Sequence, residues 1–161
     1  MAAVRTSFPA LFRHGNRSLS SYPGQLTRGF RASARLMSDI TPILTKNAMT
    51  PVGPYSQAIK TPHAIYCSGQ LPADAQGNIV EGSVGERTAA VLKALSAVLE
   101  EAGSSLDKIV KAQIFLTDMK DFAEMNAEYE KWIKHQPARS CVAVHQLPKG
   151  VNIEIECVAL P

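Results

Sequence analysis

Apolar side chains recur at helical spacing in the middle of the chain. Ser83 and Glu86 form the capping-box pair that starts a helix, and Gly103 is the residue type that ends one. Between them, apolar residues stand three and four positions apart: Val91, Leu92, Leu95, Val98, Leu99 and Ala102. The pattern predicts an amphipathic helix between Ser83 and Gly103.

A second helical stripe follows Asp121 and Glu124, which form another capping pattern, and its members are Phe122, Met125, Tyr129, Trp132 and Ile133. Residues 109–117 alternate instead, which predicts a half-buried strand with one side formed by Val110, Ala112, Ile114 and Leu116. Residues 64–68 precede a Gly69-Gln70-Leu71-Pro72 turn and predict a further strand.

The end of the chain predicts two more strands, residues 139–147 and 151–159, joined as a hairpin by Pro148-Lys149-Gly150. The order is therefore strands, helix, strand, helix and hairpin. This order lacks the strict alternation of strands and helices that a doubly wound fold needs. We predict an α+β domain in which two helices pack on one face of a mixed sheet.

Positive charge is concentrated at the N-terminus. Of the 17 Lys and Arg residues, six are arginines within residues 1–37, a segment without lysine or any acidic residue. Such an Arg- and Ser-rich segment is typical of a mitochondrial transit peptide, and residues 28–37 resemble the two-step matrix-processing pattern. We expect cleavage before Ser38, a domain over residues 38–161 and a location in the mitochondrial matrix. A basic tail that binds RNA or lipid is the alternative.

The remaining composition argues against several classes of protein. Eleven basic residues stand against 14 acidic ones after position 37, which disfavours nucleic-acid binding because that depends on neutralising phosphates. No run approaches the ~20 apolar residues of a membrane span, so we expect a soluble protein without membrane contact. Cys67, Cys141 and Cys157 lack C-x-x-C spacing, and the histidines form no metal motif, so we expect free thiols and no metal.

Four blocks, in the same order along the chain, resemble the signatures of one protein family. They are Gly53-Pro54-Tyr55-Ser56-Gln57-Ala58, Ser68-Gly69-Gln70, Pro137-Ala138-Arg139-Ser140-Cys141-Val142 and the segment from Leu147 to Glu156. The family is RidA, also called YjgF. The four blocks span most of residues 41–161.

The resemblance implies a chorismate-mutase-like fold assembled as a homotrimer, with ligand pockets at the subunit interfaces. It also implies a deaminase that hydrolyses 2-imino acids such as 2-iminobutanoate and 2-iminopropanoate to 2-oxo acids and ammonia, without a cofactor. These imines are tautomers of the enamines that pyridoxal-phosphate-dependent dehydratases release. The presequence makes the chain similar to fungal mitochondrial members, which implies a role in branched-chain amino-acid synthesis and mitochondrial genome maintenance.

Arg139 suits the carboxylate of such a substrate. Its guanidinium stays charged, and its planar fork can hold both carboxylate oxygens, which Lys cannot do with the same geometry. Taken alone, an Arg at the start of a strand would more often be a surface residue, but the surrounding motif favours binding. Cys141 lies two residues further, on the same face, and is expected as a pocket-lining thiol. No base lies in a motif with it, so we do not expect a nucleophile.

The resemblance gives roles to four other residues. Ser68 and the Gly69 N–H would help to bind the substrate or the attacking water. Tyr55 would form a pocket wall, and Asn126 would reach the pocket from the second helix. The plain alternatives are a strand-to-turn exit for Ser68 and Gly69, a half-buried tyrosine, and a solvated helix asparagine.

Glu154 is the acidic residue that the resemblance assigns to placing or deprotonating the water. Glu156 shares its face, so alternation cannot choose between the two. In a hairpin with a three-residue loop, Arg139 and Glu154 would point to opposite faces, whereas a four-residue loop or a bulge would bring them together. We predict the second arrangement, or else that a neighbouring subunit supplies one of the two groups.

Two further functions stay open beside the deaminase. Some relatives are credited with endoribonuclease activity or inhibition of translation, which fits poorly with a mildly acidic domain. A non-catalytic trimer that binds small carboxylates, or that acts as a chaperone, could use the same pocket without turnover.

Overall fold

The computed structural model describes residues 39–161. These residues fold into a six-stranded sheet with two helices on one face. The strands are β1 (Thr41–Ile43), β2 (Ala58–Lys60), β3 (Ile65–Gln70), β4 (Ile109–Leu116), β5 (Ala138–Ala143) and β6 (Ile153–Ala159). The helices are α1 (Val84–Glu101) and α2 (Phe122–Trp132). The predicted presequence and its cleavage site lie outside the described residues. The α+β class is confirmed.

The sheet order is β1-β2-β3-β6-β4-β5, in which β5 runs parallel to β4 and the other pairs are antiparallel. The predicted final hairpin is wrong, because β4 lies between β5 and β6 and pairs with both. Residues 144–152 instead cross the end of β4. There the Val144 N–H donates to the Leu116 carbonyl at 2.8 Å, and the Thr117 N–H donates to the Asn152 carbonyl at 3.1 Å.

Helix α1 begins and ends as its sequence predicts. The Ser83 hydroxyl accepts from the Glu86 N–H at 3.3 Å, and the Glu86 carboxylate accepts from the Ser83 N–H at 2.8 Å. Gly103 has a φ of 78°, and the Ser104 N–H donates back to the Leu99 carbonyl, which closes the helix. The apolar face of α1 is buried in the core that it forms with the sheet. Neither helix of the described part is long and apolar enough to cross a membrane.

Helix α2 starts differently from its prediction. Asp121 occupies the N-cap position, but its side chain makes no capping hydrogen bond. Glu124 accepts instead from the Gly85 N–H in the first turn of α1, at 2.9 Å, where the positive end of the helix dipole favours an anion. The predicted stripe is confirmed: buried or partly buried in the core are Phe122, Met125, Tyr129, Trp132 and Ile133.

Strand β4 alternates as predicted except at its start. Ala112, Ile114 and Leu116 are buried, but Val110 is 43% exposed. The register between β4 and β6 shifts between Ile109 and Lys111, and the extra residue reverses the alternation there. Ile109 therefore takes the inward position that the pattern gave to Val110.

Candidate active site

The sheet separates the two residues that matter most for the predicted chemistry. Residues directly opposite each other on neighbouring strands share a face. Arg139 pairs with the buried Ala112, so its side chain lies on the face that carries the helices. Glu154 pairs with Phe115, which is three positions from Ala112 on the same strand. Because side chains alternate along a strand, Glu154 lies on the opposite face, the open face that carries no helix. The prediction that strand register brings Arg139 and Glu154 together within one chain is wrong.

A cavity of about 340 Å³ lies on the Arg139 side, between α2 and the start of β5. It brings together two of the predicted site residues, Asn126 and Arg139. The rest of its wall is formed by Tyr129, Glu130, Ile133, Gln136 and Pro137.

The Arg139 guanidinium lies on aromatic rings and not on a carboxylate. Its Cζ is 4.9 Å from the centroid of the Tyr129 ring and 5.9 Å from that of Phe122, within the range at which a ring face attracts a cation. Among residues 39–161, no acidic oxygen lies within 4.0 Å of the guanidinium nitrogens. The charged fork can therefore accept an anionic ligand without losing an ion pair.

Two residues that line this cavity each carry a buried polar atom that has no hydrogen-bond partner in the described part of the chain. The atoms are Asn126 Oδ1 and Tyr129 Oη. An unpaired buried group costs roughly 1–3 kcal/mol, so native proteins keep few of them. Two such atoms next to an unpaired guanidinium favour a ligand at this wall.

Cys141 follows Arg139 on the same face, opposite Ile114, and packs against the core. Burial raises the pKa of its thiol, and the charge of Arg139 lowers it by less. The thiol therefore stays protonated at neutral pH, which does not suit a nucleophile. Cys141 lines neither this cavity nor the one described next, so its expected place in the pocket wall is not seen in the described chain.

A second cavity, also of about 340 Å³, lies on the open side of the sheet. Four more of the predicted site residues meet in its wall: Tyr55, Ser68, Gly69 and Glu154. The rest of the wall is formed by Val52, Leu71, Pro148 and Glu156. Six of the predicted site residues therefore fall into two groups, one on each face of the sheet, which we call half-sites.

A β-bulge in β3 shapes the second cavity. The register with β6 shifts between Cys67 and Gln70, so that Ser68 and Gly69 together oppose a single residue. A Cβ on Gly69 would collide with the Glu154 carboxylate, at 2.6 Å from its Cδ and 2.9 Å from its Cγ. Glycine is therefore what lets this carboxylate lie against the backbone.

Ser68 and Tyr55 are both held by neighbouring backbone. The Ser68 hydroxyl donates to the Ser56 carbonyl at 2.7 Å, and its N–H donates to the Gln57 carbonyl at 3.0 Å. Because its proton is engaged, Ser68 Oγ can offer a ligand or water only its lone pairs. Tyr55 is 45% exposed, and its hydroxyl accepts a long hydrogen bond of 3.4 Å from the Val52 N–H.

The environment of Glu154 suits proton transfer. Burial raises the pKa of its carboxyl group, and the charge of Glu156 raises it further. A carboxyl group that titrates closer to neutrality can act as a general acid and base. Both glutamates line the cavity, but the close approach to Gly69 distinguishes Glu154.

Sequence reasoning missed part of the Arg139 cavity. The sequence pattern placed Tyr129 in the apolar stripe of α2, where it is buried, but not in the cavity wall that it also lines. The hydroxyl of a tyrosine in an otherwise apolar stripe was the signal that could have indicated this position. Gln136 has a φ of 54°, a left-handed conformation that residues with a Cβ rarely adopt, and no local pattern indicates it. No group of three His, Cys, Asp or Glu residues within 39–161 is arranged to hold a metal ion.

Comparisons with known proteins give the family. The Endoribonuclease L-PSP family model matches residues 45–160. The mitochondrial protein mmf1 of Schizosaccharomyces pombe is 48% identical over 158 residues, which cover 96% of this chain and 92% of that protein. The crystal structure of yeast Mmf1 is 44% identical with a TM-score of 0.74, and the match covers 75% of this chain and 98% of that one. The structure of E. coli TdcF with bound serine is 34% identical with a TM-score of 0.72, and covers 75% of this chain and 98% of that one. The chain therefore belongs to the Endoribonuclease L-PSP family, which is the YjgF/RidA family that its four motifs predicted.

Proposed function

We propose that the chain is a 2-imino acid deaminase that acts on 2-iminobutanoate and 2-iminopropanoate. The main support is the wall of the Arg139 cavity, where an unpaired guanidinium lies beside the unpaired amide oxygen of Asn126. A 2-imino acid carries a carboxylate that can pair with the guanidinium and an N–H that can donate to the amide oxygen. The serine bound to the relative TdcF, which also joins a carboxylate to a nitrogen, supports the same class of ligand.

The reaction also needs a group that places water, and Glu154 lies on the other face of the sheet. We infer a homotrimer in which the Arg139 cavity of one subunit meets the Glu154 cavity of the next, so that each interface forms one complete site. The exposed edge strand β5, which carries Arg139, supports such an interface, because an uncovered edge offers unpaired backbone groups and the side chain of Val142 is 45% exposed.

In this composite site, Arg139 binds the substrate carboxylate and Asn126 accepts from the imine N–H. Glu154 takes a proton from water while the water oxygen adds to the imine carbon, and this proton passes to the nitrogen, which gives a carbinolamine. Glu154 then moves the hydroxyl proton of the carbinolamine to the nitrogen as the C–N bond breaks, so that ammonia leaves, the carbonyl of the 2-oxo acid forms and Glu154 is a carboxylate again. One water is consumed for each ammonia released, and no oxidant is needed.

The proposed location is the mitochondrial matrix. The Arg-rich, acid-free segment over residues 1–37 and the similarity to a mitochondrial relative along 96% of the chain both support it. Dehydratases that depend on pyridoxal phosphate would supply the imines there. Removing them would support branched-chain amino-acid synthesis and, through it, mitochondrial maintenance.

A coupled assay tests the activity. Full-length protein is added to a threonine dehydratase reaction in which semicarbazide traps the imine, and the release of 2-oxobutanoate is measured. We expect the wild type to accelerate release and Arg139→Ala to lose about 100-fold in kcat/KM, since a bidentate charged pair is removed. Lys93→Ala removes an exposed charge from α1 and should change nothing. No acceleration by the wild type would overturn the proposal.

RNA cleavage is the second candidate, because the description of the matching family is endoribonuclease. The excess of acidic residues after position 37 disfavours it. Incubating the same preparations with labelled single-stranded RNA separates the two functions. Cleavage by both the wild type and Arg139→Ala, without imine hydrolysis by either, would favour the ribonuclease. Binding of 2-oxobutanoate without either activity would favour a non-catalytic carboxylate-binding trimer or chaperone.

A further inference from the structure

We propose that Tyr129 donates a second hydrogen bond to the carboxylate that Arg139 holds, so that a guanidinium and a phenol bind the anion together. The inference rests on the proposed role of Arg139 and assigns Tyr129 to the ligand. It makes Tyr129 a residue that sets affinity and selectivity for the carboxylate.

The position of Tyr129 is fixed from two sides. The side chain is only 5% exposed and lies in the core stripe of α2 with Met125 and Ile133, which are also buried. Its ring lies 4.9 Å from Arg139 Cζ and so holds the guanidinium at the wall of the cavity. Ring and cation are therefore arranged before any ligand arrives.

The hydroxyl of Tyr129 has no role in the fold that the described residues reveal. It is buried and makes no hydrogen bond there. Phenylalanine would keep both the core packing and the contact with the Arg139 guanidinium, and it would avoid the unpaired hydroxyl. A group that is unfavourable for folding and adjacent to the cation of a binding site is expected when the missing partner is the ligand.

The phenol is also in the right protonation state. Burial raises the pKa of Tyr129, and the charge of Arg139 lowers it by less, so that the hydroxyl keeps its proton at neutral pH. A protonated phenol can donate to a carboxylate oxygen.

This arrangement predicts selectivity for an anion. Guanidinium and phenol present only donors to the two oxygens of a carboxylate, whereas a carboxamide would turn its NH₂ donors toward one of them. Substrates and products with a free carboxylate should therefore bind, and their amides should be rejected.

The test measures binding and not turnover, with 2-oxobutanoate as the probe and the full-length protein in calorimetry. Tyr129→Phe should raise the Kd about tenfold, as expected for one hydrogen bond to a charged group. Its Tm should equal or exceed that of the wild type, because the unpaired hydroxyl is gone. Tyr129→Leu also removes the ring and should raise the Kd further. Tyr66→Phe removes a phenol from a side chain that is 53% exposed on β3 and should change neither quantity.

Two results would overturn the inference. One is an equal Kd for the wild type and Tyr129→Phe; a lower Tm in that variant would then assign the hydroxyl to the fold. The other is a wild type that does not bind 2-oxobutanoate. A wild type that binds the probe but does not accelerate imine hydrolysis contradicts the proposed deaminase alone, and the comparison with Tyr129→Phe still decides the role of the hydroxyl.

Discussion

Glu154 carries a charge that its surroundings disfavour, since burial and then Glu156 raise the pKa of its carboxyl group. A carboxyl group whose pKa is raised by folding contributes to the free energy of unfolding at pH values below its unfolded pKa of about 4.3. This contribution is lost as the pH rises through the higher pKa of the folded state. In thermal melts, Glu154→Gln should therefore be at least as stable as the wild type at pH 7, and the two should converge near pH 4. The variant should also lose turnover, because an amide cannot take a proton from water.

Glu128 provides a matched control with the opposite sign. Hydrogen bonds from Lys131 at 2.6 Å and from Trp132 at 2.9 Å lower the pKa of its carboxyl group. The resulting contribution to stability is present above the unfolded pKa of the carboxyl group and is lost as the pH falls through the lower pKa of the folded state. Glu128→Gln should be less stable than the wild type at pH 7 and should keep its turnover. A Glu154→Gln variant that melts below the wild type at pH 7 would contradict the unfavourable burial of the Glu154 carboxylate.

At the scale of elements, the bulge of β3 controls where the Glu154 side chain lies. Gly69→Ala would place a Cβ in the position of the carboxylate, and the flexible side chain would have to swing away. We expect a large loss of kcat in the semicarbazide assay with little change in Tm, since only the end of a side chain moves. In a Glu154→Ala background, Gly69→Ala should cost almost nothing more, because its target is already absent. Additive losses would mean that Gly69 acts through the backbone.

Local pattern predicted the elements that are determined locally, and failed where distant strands compete. The capping box of Ser83 and Glu86 and the alternation of β4 depend on neighbours in sequence, and both are confirmed apart from the bulge at Val110. Two strands joined by Pro148-Lys149-Gly150 match a hairpin locally, yet β4 pairs with both of them. Strands β1 and β2, with three residues each, are too short for a periodic signal.

The same distinction explains what could be predicted of the site. The family resemblance named Arg139 and Asn126, which meet in one cavity, and Tyr55, Ser68, Gly69 and Glu154, which meet in the other. The face of the sheet that each group occupies depends on strand pairing, which short motifs do not encode. The separation into half-sites therefore became visible only in the folded chain.

In the whole molecule, each half-site has what the other lacks. In the proposed composite site, one contributes a cation and an unpaired amide oxygen, and the other contributes a carboxyl group whose pKa is raised by burial. The sheet lies between them, so a small rearrangement within one chain cannot bring Arg139 to Glu154. The proposed composite site therefore requires a second copy of the chain.

Mixing two inactive variants tests this division. Arg139→Ala and Glu154→Ala subunits should each be inactive alone, and they are co-expressed in equal amounts. If each interface takes Arg139 from one subunit and Glu154 from the next, each group is native with a probability of one half, so about a quarter of the interfaces are complete. The mixture should regain about a quarter of the wild-type activity. Co-expressing Arg139→Ala with Asn126→Ala should restore nothing, because those residues belong to the same cavity of one chain and no interface then has both. If Arg139 and Glu154 acted from one chain, neither mixture would recover activity, and the composite site would be excluded.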